Sequence, residues 1–70
     1  MKRLHLETRI SNLTHADYEY FSLGECSGAE IYRLNDIYVL FEIPLYGGEP
    51  RYSGVYNTVK QAVDEIMSWT

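Results

Sequence analysis

Glu30-Ile31-Tyr32-Arg33-Leu34-Asn35-Asp36-Ile37-Tyr38-Val39-Leu40-Phe41-Glu42-Ile43 decides the fold of this 70-residue chain. Ile37, Val39, Phe41 and Ile43 alternate with Tyr38, Leu40 and Glu42, the two-residue period of a strand. Glu30 to Leu34 is strand-like as well, and only Asn35 and Asp36 separate the two runs. Both residues tolerate positive φ and suit the tight turns of hairpins. With those two at the turn, Leu34 faces Ile37, Tyr32 faces Val39 and Ile31 faces Leu40. One side of the hairpin then carries Leu34, Tyr32, Ile37, Val39, Phe41 and Ile43; the other carries Ile31, Arg33, Tyr38, Leu40 and Glu42. The first side is the expected core face. The second is mixed, and too apolar for a plain solvent face.

Pro44 and Gly47-Gly48-Glu49-Pro50 end the second strand in a loop, and Arg51 to Tyr56 reads as a return strand. Thr58, with Gln61 three residues on, forms a capping-box signature, and Val59, Ala62, Val63, Ile66 and Met67 follow at helical spacing. A C-terminal helix is predicted, packed on Ile37, Val39, Phe41 and Ile43. Upstream, Leu4, Leu6, Thr8 and Ile10 alternate with charged residues and predict a first strand. Asp17 to Leu23 holds Tyr18, Tyr20 and Phe21, which favour a strand; Thr14 with Asp17 and the following Gly24 offer a short helix instead. The fold class is α+β: one domain, a small antiparallel meander of three to five strands with a C-terminal helix on one face.

A chain this short buries only about 60% of its unfolded surface. With one cysteine it has no internal disulfide to compensate. Aromatic packing, a homodimer or a protein partner remain as remedies, and seven tyrosines, two phenylalanines and Trp69 serve the first. Residues 1–16 carry a net charge of +2 and residues 17–70 a net −6, which gives the overall −4. An acidic body repels phosphate backbones, so nucleic acid is a disfavoured partner. Met1-Lys2-Arg3 is not followed by an apolar run, so neither a signal peptide nor a membrane span is expected. A free thiol without an export signal suggests the cytoplasm.

Motifs that suggest chemistry lack their structural context. Gly24-Glu25-Cys26-Ser27-Gly28 mimics a nucleophile elbow, but a strand follows it instead of a helix, and the chain is too short for the large parallel sheet the elbow needs. His5 and His15 match no zinc spacing and read as solvent-facing, His5 on the outward side of its strand. Glu30, on the expected core side, is the one carboxylate placed for a raised pKa, while Glu42 lies on the opposite face. Gly47-Gly48 lacks a phosphate loop's lysine, and the sequon Asn12-Leu13-Thr14 stays unmodified without export. No catalytic, cofactor or metal residues are assigned.

The tyrosines support a positive expectation, because a rigid ring with a polar tip binds at low entropic cost. Ile31, Arg33, Tyr38 and Leu40, ringed by Glu42, Tyr46 and Glu49, form the expected partner-binding patch. The first functional expectation is therefore a non-enzymatic protein-interaction or inhibitor module. In size and charge the chain resembles the anti-CRISPR inhibitors and DNA mimics of phages and mobile elements. That resemblance implies a host nucleic-acid-handling complex as target, with Asp36, Glu25, Glu42 and Glu49 as contacts. Three strands and a helix over Glu30 to Trp69 also resemble, in topology, the arm-binding domains of phage integrases, which implies base stacking on sheet aromatics as an alternative. A small enzyme with an intersubunit site, built on Cys26 or His15, is the third.

Overall fold

The computed structural model describes residues 3–23, 27–44 and 47–69. Six elements follow one another among them: α1 (Arg3–Ser11), β1 (Asp17–Ser22), β2 (Ser27–Leu34), β3 (Ile37–Pro44), β4 (Arg51–Tyr56) and α2 (Val59–Ser68). The strands form an antiparallel sheet in the order β1-β2-β3-β4, a plain meander. The α+β class and the C-terminal helix are as the sequence predicts.

The hairpin turns where expected. Leu34 pairs with Ile37, Tyr32 with Val39 and Ile31 with Leu40, and Asn35 takes the left-handed φ of 57° that the reversal needs. Asp17–Ser22 is the strand favoured over the short helix, pairing Tyr18 with Tyr32 and Tyr20 with Glu30. At the far edge the β3–β4 register shifts between Leu40 and Phe41, so Leu40 opposes Gly54 while Phe41 opposes Tyr52. Ser53 is the extra residue of this bulge, and it keeps Tyr52 and Val55 on the same face as Phe41 and Val39.

The expected first strand is a helix. Leu6, Ile10 and Leu13 recur at intervals of four and three, so every second residue being apolar hid a helical stripe. All three are buried. Arg3 Nε donates to Glu7 Oε1 at 2.9 Å one turn on, a contact worth only a few tenths of a kcal/mol; burial of the stripe decides the conformation. Arg3 Nη2 also reaches Asp64 Oδ1 at 2.6 Å, tying α1 to α2.

α2 starts as the capping signature requires. The Thr58 hydroxyl accepts from the Gln61 amide at 3.1 Å. Gln61 Oε1 reaches back past the cap to accept from the Asn57 amide at 3.0 Å. Ala62, Val63 and Ile66 form its buried face.

Which face those residues bury against is the main correction. The core joins Leu6, Ile10, Leu13, Ala62, Val63 and Ile66 to Phe21, Ala29, Ile31, Tyr38 and Leu40. Both helices therefore cover the side expected to be mixed, and the expected core face is left without a helix. Hydrophobicity does not separate the two faces. Rings stand on both, Phe21, Tyr38 and Tyr56 on the helix side and Tyr18, Tyr32, Phe41 and Tyr52 on the other, and each side has a glycine with a tyrosine across it, Gly54 under Tyr56 and Gly28 under Tyr20. The buried stripes of α1 and α2 close on the side that carries Phe21, Ala29, Ile31, Tyr38 and Leu40.

Candidate binding face on the helix-free side of the sheet

Four rings cross the open face from edge to edge, one from each strand. Tyr18 and Tyr32 have centroids 5.4 Å apart with planes at 30°. Tyr32 meets Phe41 edge-on at 5.8 Å and 83°, and Phe41 meets Tyr52 at 6.0 Å and 69°. Such spacings are those of attractive ring pairs, each worth about 0.5–1.5 kcal/mol beyond its area. Tyr18 pairs directly with Tyr32 and Phe41 with Tyr52, while Tyr32 and Phe41 meet on the diagonal, so the sheet register itself builds the row.

Around the row lie Tyr20, Leu34, Val39 and Val55. Tyr52 is 64% exposed, Tyr18 58% and Val55 48%, so an apolar surface faces solvent along both sheet edges. Tyr20 lies across Gly28: a Cβ there would stand 2.6 Å from the Tyr20 hydroxyl and 2.8 Å from the Phe21 carbonyl. Glycine at 28 lets that ring lie flat on the sheet.

Glu30 is the one charged residue that the described strands place on this face. The Tyr32 hydroxyl donates to Glu30 Oε1. That bond, followed by desolvation and by the charges of Glu30 and Tyr18, holds the Tyr32 phenol above its ordinary pKa. The described cations lie elsewhere and are engaged. Arg9 pairs with Glu19 and stacks over Phe21 at 4.8 Å. Arg33 donates to the Leu13 carbonyl at 2.5 Å and to the Asn35 carbonyl at 3.1 Å. Arg51 stands 3.6 Å from Glu42, and Lys60 2.9 Å from Asp64.

The centre of the expected partner-binding patch is core and not surface. Ile31 and Leu40 are fully buried and Tyr38 is 8% exposed, because the helices sit on them. Arg33 lies over the Tyr38 ring at 5.9 Å, its guanidinium spent on the backbone bonds above. Glu42 is half-buried, Glu49 is exposed in the loop, and Tyr46 lies outside the described residues. Glu30, expected on the core side, lies on the open side of the sheet. Sequence reasoning thus missed Tyr18, Tyr20, Tyr52 and Val55 as surface, and took Tyr32, Val39 and Phe41 for the core beneath the helix.

His5 is exposed on α1, not on a strand. His15 Nδ1 accepts from the Asn35 amide at 2.8 Å and so braces the β2–β3 turn. Glu25 and Cys26 of the elbow-like motif lie outside the described residues. No group of three or more metal-ligating side chains occurs among the described residues. A cavity of about 190 Å³ is lined by Glu42, Arg51, Tyr52, Ser53 and Trp69. A wider one of about 510 Å³ lies between β4 and α2, lined by Val55, Tyr56, Asn57, Gln61, Asp64 and Glu65. No described helix is long and apolar enough to cross a membrane. Comparison with family models, curated proteins and solved structures returns no match.

Proposed function

We propose that this chain is a non-enzymatic protein-interaction module whose working surface is the helix-free face of the sheet. One observation carries this: β3 runs Ile37-Tyr38-Val39-Leu40-Phe41 without a polar break, the pattern of a strand covered on both sides, yet the helices cover one. A ring-rich apolar surface with polar hydroxyl tips is what protein interfaces use at their centres. Phosphate-bearing partners fit it poorly, since stacking surfaces for nucleic acid need a basic fringe and the described cations are paired away from this face.

The test compares immobilised wild-type chain with the double variant Tyr52→Lys/Val55→Lys and with Leu4→Lys, which alters an exposed apolar residue on the helix side. Stoichiometric protein retention by wild type and Leu4→Lys, lost in the double variant while its circular dichroism is unchanged, supports the proposal. Equal retention by all three overturns it. So does tight binding of a labelled oligonucleotide with no protein retained.

A further inference from the structure

We infer that the protein seated on this face is a second copy of the chain, the two sheets packing face to face with the helices outermost. The inference rests on the interaction proposal above and names its partner. Area supports it first. Four strands about 4.8 Å apart, of about seven residues rising about 3.3 Å each, present a face of roughly 440 Å². Two copies together cover roughly 900 Å² in projection before side-chain relief is counted, close to the roughly 1,000 Å² that a specific interface needs. Shape supports it next. The ring row is centred on the antiparallel β2–β3 pair, with Tyr18 and Tyr52 at its two ends. A second copy related by a twofold axis sets the same ring row on both sides of the interface.

Charge is the obvious objection to pairing two acidic chains, each of net charge −4. Geometry lessens it for the helix carboxylates Glu7, Asp64 and Glu65, and Asp17, Glu19 and Glu42 lie on the helix side of the sheet. Packed sheets stand about 10 Å apart and a helix is about 10 Å across. The carboxylates of the two helical layers then lie about 30 Å apart, several screening lengths of about 8 Å. Of the charged residues on the described strands, Glu30 alone enters the interface, and it does so with the Tyr32 hydroxyl already on its carboxylate.

Sedimentation of the purified chain across a wide concentration range tests this. Wild type and Leu4→Lys are expected to dimerise, and Tyr52→Lys/Val55→Lys to weaken the dimer at least about 30-fold, as buried unpaired charge does. Glu30→Gln is expected to tighten it, because the amide still accepts from Tyr32 and no longer carries charge into the interface. Weaker pairing of Glu30→Gln would place that carboxylate on a partner cation and overturn the inference. A wild-type chain that stays monomeric at every concentration overturns it as well, and needs no variant to fold. If face-dependent retention of other proteins persists in that case, the interaction proposal stands while the second copy falls. A dimer indifferent to the face variants removes both. Dissociation to monomers on a bound oligonucleotide gives the face to nucleic acid.

Discussion

Truncating Leu40 and Val39, neighbours in β3 on opposite faces, separates the covered side of the sheet from the open one. Leu40 is fully buried between the helices and the sheet. Leu40→Ala removes three carbons at about 0.8 kcal/mol each and leaves a cavity besides, for a loss of about 2.5–5 kcal/mol. Val39 is only half-buried, so Val39→Ala costs about 1 kcal/mol in the isolated chain. A domain this size has a total stability of only about 3.5–10 kcal/mol, so the first loss takes a large share of it. Urea unfolding followed by far-UV circular dichroism, at concentrations low enough to hold the monomer, measures both. With a denaturant slope of about 1 kcal/mol per M, the midpoint should fall by at least about 2 M for Leu40→Ala and by no more than about 1 M for Val39→Ala. If Leu40→Ala does not fold, Ile31→Val on the same buried face should cost about 1 kcal/mol. Equal losses at Leu40 and Val39, or a larger one at Val39, would refute the placement of the helices. At higher protein concentration the Val39→Ala cost should grow, since a second copy then stabilises the native state.

Other expectations follow from single contacts. Thr58→Ala deletes the hydroxyl that caps α2 and should cost about 1 kcal/mol in the same assay. Ala16 sits at φ 67°, a left-handed conformation costing about 1–2 kcal/mol for a residue with a Cβ. Set against about 0.5–1 kcal/mol of added chain entropy, Ala16→Gly should stabilise the fold by about 0.5–1 kcal/mol, read as a higher melting temperature. Lys60 first, then Arg3, holds the Asp64 carboxyl below its ordinary pKa. Its contribution is therefore present above the usual carboxylate value and lost as pH falls through the lowered one, and Asp64→Asn should flatten the acid limb of stability against pH.

The local grammar of the chain was legible because local chemistry fixes it. Asn35 can hold the positive φ of a two-residue reversal, so the β2–β3 register followed from composition alone. Thr58 and Gln61 announced α2 for the same reason: the bonds they make span three or four residues. The choice of face was a different problem. Ile31, Tyr38 and Leu40 are as apolar as Val39, Phe41 and Ile43, and only the packing of two helices onto the first set distinguishes them. The α1 segment added to the error, because alternation at Leu4, Leu6, Thr8 and Ile10 contains a four-residue repeat that a strand pattern conceals. With that segment a helix, two helices share one side of the sheet and the ring row keeps the other. The candidate patch inherited the inversion, so its centre at Ile31, Tyr38 and Leu40 became core.

Isotope-filtered nuclear Overhauser spectroscopy on an equimolar mixture of labelled and unlabelled chain tests the working face most directly. Intermolecular cross-peaks should join the methyls of Val39 and Val55 to the ring protons of Tyr18, Tyr32 and Tyr52, with none from Leu40 or Ile66. Intermolecular peaks confined to α1 and α2, or their absence at millimolar concentration, would contradict it.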